Sequence, residues 1–137
     1  MTIPRKPLRI DSMLKLLLIA AGGALGTLAR YGTGTLLFSL MEKYRFPFGT
    51  LTVNLLGCLL IGLLQGLYLD RAWIRPEYQV AIVVGFMGGF TTFSSFGWET
   101  VSFLNDGQFA RATLNIALNN VIGLFLVFAG YKLSKMI

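Results

Sequence analysis

The chain has 137 residues, of which 55% are apolar and 13% are charged, and its net charge is +6. Soluble domains carry about 25% charged residues, so this composition indicates one membrane domain, residues 1–137, with a lipid bilayer as its solvent. The chain has no histidine and one cysteine, which excludes histidine-dependent catalytic triads, histidine zinc sites and a disulfide within the chain, and we expect no enzymatic activity.

Four apolar runs are each long enough to cross about 30 Å of hydrocarbon as a helix, which predicts an all-α integral membrane protein. In chain order they cover residues 14–41, 47–69, 78–104 and 112–131. The basic residues lie at the ends of these runs, where cations face lipid headgroups, so the positive charge does not indicate a nucleic-acid partner.

Four spans place both termini on one side of the membrane, and the excess of Lys and Arg there favours the cytoplasm. Much of this excess comes from Arg5, Lys6 and Arg9. Without those three the charges are nearly balanced, and such a chain could insert in both directions. Four helices are too few to enclose a wide pore, so a dimer is the expected working unit.

Glycines recur at four-residue spacing within the spans, as Gly22 and Gly26, Gly62 and Gly66, and Gly85 and Gly89. Small residues at this spacing let helix backbones approach closely in lipid, where hydrophobicity does not drive association. They predict tight helix packing.

The first two spans carry isolated polar residues that a membrane core tolerates only for a reason. Arg30 in the first span either snorkels to the far interface or raises the local potential for an anion. Thr50 and Asn54 lie four residues apart in the second span and therefore share a helix face.

The third span is the most informative. Residues 85–96, GFMGGFTTFSSF, combine glycines with Thr and Ser pairs, and these residues destabilise a helix. The composition predicts a broken helix that is buried in protein or lines a cavity, and its free carbonyl groups suit a hard cation such as Na⁺. The positive edges of Phe90, Phe93 and Phe96 could face an anion, although an aromatic stripe is more often core packing.

The fourth span carries Asn115 and Asn119, again four apart, with Gly123 continuing their face. Hydrogen bonds between helices and a polar track of donors along an ion pathway are both consistent with this spacing. The donors are neutral and a cation, Arg30, lies at the mouth, so an anion is favoured. The nearest acid is Glu99, close to the end of the third span.

Three motifs together resemble one family. Residues 22–31 (GGALGTLARY), 48–57 (FGTLTVNLLG) and 85–96 are similar to the Fluc (CrcB) fluoride channels, in the same order and across nearly the whole chain. The resemblance implies an antiparallel, dual-topology homodimer in the bacterial cytoplasmic (inner) membrane, with two fluoride pores. It also implies a central structural sodium ion, held by the backbone carbonyls of Gly88 and Thr91.

By position in these motifs, the resemblance implies that Phe93 and Phe96 line the fluoride path and that Asn54 is the pore asparagine, with Thr50 one turn before it. It implies likewise that Arg30 is the arginine near the vestibule and Glu99 the glutamate after the break. The fourth span departs from the family pattern, because Asn115 and Asn119 stand where a tyrosine and a serine are usual. Hydrogen-bond donors to fluoride are expected from Asn54, Asn115, Asn119 and either Ser94 or Ser95.

The expected function is passive export of cytoplasmic fluoride, with chloride excluded by close-fitting weak sites. The nearest alternative is a small multidrug exporter, which needs a carboxylate within its first helix, where this chain has Arg30 instead. A membrane scaffold subunit that transports nothing is a second alternative, but such a protein has no use for a polar track.

Overall fold

The computed structural model describes residues 10–71 and 75–137. Arg5, Lys6 and Arg9, on which the predicted orientation depends, lie outside the described residues. The described elements, in chain order, are α1 (Ile10–Met41), a 3-10 turn (Glu42–Tyr44), α2 (Phe48–Arg71), α3 (Pro76–Val80), a π-helical segment (Ala81–Met87), α4 (Gly88–Phe90), α5 (Phe93–Asn105), α6 (Phe109–Ala117), a second π-helical segment (Leu118–Ile122) and α7 (Gly123–Ser134).

These elements form four helical stretches long and apolar enough to cross a membrane: Ser12–Tyr44, Phe48–Tyr68, Pro76–Asn105 (the third span) and Phe109–Ser134 (the fourth span). The predicted all-α class with four spanning helices is confirmed. The third span begins before the apolar run at residue 78, because a proline fits the first turn of a helix, where its missing N–H is not needed.

Two tight turns set neighbouring helices antiparallel. Arg45 adopts φ 49°, and its N–H donates to the Glu42 carbonyl at 3.2 Å, which ends the 3-10 turn. Gly107 adopts φ 71° between α5 and α6, in a region that glycine enters without steric cost. Both connections are short, so the first and second spans form one hairpin and the third and fourth spans form another.

The glycine pairs let the helices touch through their backbones, as their spacing predicted. A Cβ atom at Gly22 would lie 2.5 Å from the Ala81 carbonyl oxygen, and one at Gly89 would lie 2.5 Å from the Gly23 carbonyl oxygen. The first and third spans therefore interlock at these glycines. Gly62 packs in the same way against the backbone of Val127, between α2 and α7.

Apolar side chains cover the outside of the molecule. Leu28, Phe38 and Leu124 are all about two-thirds exposed or more, which is the expected arrangement where lipid is the solvent. The small interior core consists of Val53, Met87 and Phe90. Val53 neighbours Asn54 in α2, and Phe90 neighbours Thr91 in the third span, so this core lies next to polar residues of both spans.

Candidate functional site

The third span is helical on both sides of two extended residues. Thr91 has φ −84° and ψ 159°, and Thr92 has φ −151° and ψ 108°. The glycines before them, Gly88 and Gly89, remain in helix, so the irregular stretch is shorter than the composition of residues 85–96 suggested. Glycine weakens the helix here without itself leaving the helical conformation.

Hydrogen bonds within the third span and from the second span hold the extended pair. The Thr91 N–H still donates to the Met87 carbonyl at 3.0 Å. The Thr92 N–H, which would donate to the Gly88 carbonyl in a continuous helix, instead donates to Asn54 Oδ1 at 2.9 Å. The Thr92 hydroxyl caps α5 by accepting the Ser95 N–H at 3.3 Å. The Gly88 carbonyl therefore lacks the donor that a continuous helix would supply.

Arg30 reaches this interruption from the first span. Its side chain is half-buried, and Nη1 donates to the Thr91 carbonyl at 3.3 Å. The extended backbone at Thr91 leaves a carbonyl that needs a donor, and this long cationic side chain supplies one. For Arg30, snorkelling to the far interface and raising the local potential for an anion both stay predictions.

A chain of hydrogen bonds connects the second, third and fourth spans beside the interruption. Asn54 Nδ2 donates to Asn119 Oδ1 at 2.9 Å, and also to the Thr92 carbonyl at 3.2 Å. Asn119 Nδ2 donates to Asn115, whose Oδ1 and backbone oxygen both lie 3.0 Å away. Asn115 is fully buried, and its Nδ2 donates to the Thr100 hydroxyl oxygen at 3.0 Å. We call this series of side chains the carboxamide chain.

Thr50 and Glu99 contact each other one helical turn from Asn54. Thr50 lies near the start of the second span, and Glu99 lies in the later part of the third span. The Thr50 hydroxyl donates to Glu99 Oε1. Glu99 Oε2 is buried and has no hydrogen-bond partner among the described residues. Both residues line a cavity of about 460 Å³ that also contains Arg45 and several aromatic side chains. This cavity opens near the 3-10 turn and forms a vestibule-like recess.

Phe93 and Phe96 lie at the start of α5, immediately after the interruption. Their ring centroids are 5.4 Å apart with an interplanar angle of 57°, and Phe96 is buried whereas Phe93 is 79% exposed. Both rings, together with Asn54 and Asn119, line a second cavity of about 400 Å³. Aromatic rings and amide side chains therefore line the same space.

Ser94 and Ser95 lie uncovered at the start of α5. The Ser95 hydroxyl oxygen accepts from the Thr92 hydroxyl at 2.9 Å, so its own hydrogen is free to donate to another group. Ser94 lies 3.4 Å from the same Thr92 hydroxyl. Their polar atoms are thus exposed in the middle of an apolar span.

The structure brings together most of the residues singled out from the sequence, but it adds two. Thr92 and Thr100 are buried, and both belong to the hydrogen-bond network around Asn54 and Asn115. Thr100 donates to the Phe96 carbonyl at 2.8 Å. Its position four residues after Phe96 placed it on the same helix face, and this spacing was the signal available in the sequence.

A cation at the interruption would rely on carbonyl oxygens. Among residues 10–71 and 75–137, no group of three or more His, Cys, Asp or Glu side chains is arranged to hold a metal ion. The Gly88 carbonyl lacks its helical donor, and among the described residues Arg30 is the donor to the Thr91 carbonyl, which leaves a second lone pair. Such neutral oxygen donors fit a hard monovalent cation.

Comparison with known proteins adds an independent observation. Residues 17–131 match the family described as CrcB-like protein, Camphor Resistance (CrcB). A protein of Methylobacillus flagellatus is 42% identical over 124 residues, which cover 90% of this chain and 97% of the relative. A protein of Thermus thermophilus is 46% identical over 122 residues, which cover 89% and 96% of the two chains. A protein of Pseudomonas fluorescens is 44% identical over 121 residues, which cover 88% and 97%. All three relatives are named fluoride-specific ion channel FluC.

Proposed function

The chain belongs to the CrcB family, and from this premise we propose that it is a fluoride-selective, passive anion channel that exports cytoplasmic fluoride. The family is one of ion channels and not of enzymes, and the protein is a multi-pass membrane protein. The observation that carries the proposal is the cavity in the membrane interior where Asn54 and Asn119 face Phe93 and Phe96.

The chemistry of this cavity suits an anion. Within the cavity the Asn54 amide replaces water around the ion, and the positive edges of Phe93 and Phe96 add weak electrostatic attraction. Ser94 and Ser95, exposed at the start of α5, supply further O–H donors along the path. Burying a bare ion costs tens of kcal/mol, so the path must replace the hydration shell in steps. Several close-fitting weak sites release fluoride again and exclude the larger chloride ion.

In the proposal, Arg30 acts beside the interruption, and Thr50 and Glu99 act at one end of the path. Arg30 places a positive charge beside the interruption, through its bond to the Thr91 carbonyl. Thr50 and Glu99 form the recess from which the ion enters or leaves. Asn115 and Asn119 complete the polar track on the fourth span.

We propose an antiparallel, dual-topology homodimer with two pores in the bacterial inner membrane. The single chain supports this assembly through what it leaves uncovered: Ser94, Ser95 and the backbone of Gly88. Polar groups facing hydrocarbon cost several kcal/mol each, so a second copy that covers them is favourable. A central sodium ion, bound by the Gly88 and Thr91 carbonyls of both copies, would supply the positive charge that holds these oxygens together.

The proposal is tested with purified protein in liposomes, where efflux of fluoride and of chloride is followed with ion-selective electrodes. We expect fluoride efflux far above that of vesicles without protein, and chloride efflux at the background level. Fluoride efflux no faster than in empty vesicles would refute the channel. Cysteine crosslinking tests the assembly separately, because an exclusively parallel dimer would refute the dual topology.

A further inference from the structure

The orientation of the Asn54 carboxamide is fixed by the backbone. A backbone N–H can only donate, so the Thr92 N–H at 2.9 Å requires Asn54 Oδ1 on that side. Asn54 Nδ2 therefore faces the Thr92 carbonyl and Asn119 Oδ1. Both hydrogens of this amide are already donated to acceptors of the protein.

The Asn119 carboxamide is oriented by the other end of the carboxamide chain, where Asn115 and Thr100 lie. Its Nδ2 lies 3.0 Å from two oxygens of Asn115, one in the backbone and one in the side chain. The Asn115 amide is held in turn, because it donates to Thr100, whose hydroxyl donates to the Phe96 carbonyl. Turning Asn119 over would set oxygen against oxygen, so Asn119 presents its Oδ1 to Asn54.

An anion that reaches Asn54 in the 400 Å³ cavity must therefore displace an acceptor before it receives an N–H. The Thr92 carbonyl belongs to a backbone segment held on both sides. Asn119 is a side chain on another span, and only one hydrogen bond joins its oxygen to Asn54. Its oxygen is thus the acceptor that gives way.

We propose that Asn119 is a built-in competitor for the anion at Asn54, and that Asn115 and Thr100 are positioning residues that aim its oxygen. This inference rests on the proposed function and assigns a role within it. A channel site must bind its ion weakly enough to release it. Asn119 provides this weakness, because its oxygen takes back the Asn54 N–H as the ion departs.

The test replaces Asn119 by leucine, which has a similar shape and no acceptor. We measure fluoride efflux from liposomes over a range of fluoride concentrations. We expect the half-saturating fluoride concentration of Asn119→Leu to be roughly fivefold to a hundredfold lower than that of the wild type. The reason is that the Asn54 N–H, half-buried and without an acceptor in the variant, is satisfied only when the ion binds. The maximal efflux falls as well, because release slows. A residue with a purely structural role would lower efflux without increasing the apparent affinity.

Asn115→Leu provides a second variant that keeps Asn119 in place. It removes one of the two oxygens that orient Asn119, so the half-saturating concentration falls in the same direction by a smaller factor. The double variant matches Asn119→Leu alone, because Asn115 acts only through Asn119. Asn105→Leu, the same change at the exposed end of α5, leaves both quantities unchanged.

The outcomes separate this inference from the proposed function. A wild-type protein without fluoride efflux would refute the channel itself. A conducting wild type whose half-saturating concentration is unchanged or higher in Asn119→Leu would refute the competitor alone. Additive effects in the double variant would refute the positioning role of Asn115.

Discussion

Replacing Asn54 by aspartate tests the proposed path most directly, because it changes one nitrogen to oxygen at nearly constant shape. The introduced carboxylate keeps the acceptor for the Thr92 N–H. It loses both donated bonds, to the Thr92 carbonyl and to Asn119. In their place it presents a negative charge to the cavity where the anion is proposed to pass.

The size of the loss in fluoride efflux follows from the position of Asn119 Oδ1, which accepts from Asn54 Nδ2 at 2.9 Å. An anion near that position would lie about 4 Å from the introduced charge, and two like charges at this distance repel by about 4 kcal/mol at an effective dielectric constant of about 20. Each 1.4 kcal/mol corresponds to about a factor of ten. Fluoride efflux should therefore fall about a thousandfold at neutral pH.

The same variant makes efflux dependent on pH, with a defined sign. As pH falls, the introduced carboxyl takes up a proton, loses its charge and can donate again to Asn119. Efflux should therefore rise with decreasing pH by a larger factor in Asn54→Asp than in the wild type. Asn105→Asp adds the same charge at the exposed end of α5 and serves as the control. A folded Asn54→Asp protein with wild-type efflux at neutral pH would show that Asn54 does not line the path.

Three further predictions concern packing, the interruption and the cation. Gly89→Ala should lower the thermal unfolding temperature in detergent, because the new methyl group meets the Gly23 carbonyl at 2.5 Å. Gly32 has open space around it, so Gly32→Ala should increase the unfolding free energy by the usual helix preference for alanine, about 1 kcal/mol, and should raise the unfolding temperature. Equal shifts of the unfolding temperature in the two variants would contradict the close packing at Gly89. Arg30→Met removes the donor to the Thr91 carbonyl and should cost about 1.5–3 kcal/mol in unfolding free energy, and an unchanged unfolding curve would argue against this bond. Complete replacement of sodium by a large organic cation should reduce both dimer stability and efflux, and full activity without sodium would refute the structural ion.

The sequence by itself determined the class of the protein and the number of its spans. Four apolar runs of about 20 residues or more have one stable solution in lipid, because only a helix satisfies all its backbone hydrogen bonds within the segment. The glycine pairs also predicted close backbone contacts, which the structure has at Gly22 and Gly89. These features are local and periodic, so they can be read along the chain.

The direction of the hydrogen bonds was decided only by the tertiary structure. Spacing placed Asn115 and Asn119 on one face and offered both as donors, but their N–H groups donate within the protein. Which end of an amide faces a neighbour depends on partners far away in sequence, such as Thr92 opposite Asn54.

For the interruption of the third span, too, the sequence indicated the region and the tertiary structure determined the exact residues. Composition located a weak helix in residues 85–96, yet the extended residues are Thr91 and Thr92 alone. Glycine lowers the cost of leaving the helix anywhere in that segment. The position is set by Asn54 and Arg30, which come from two other spans and satisfy the backbone groups of Thr91 and Thr92. A helix in lipid breaks where such partners meet it, and only the packed spans determine where that is.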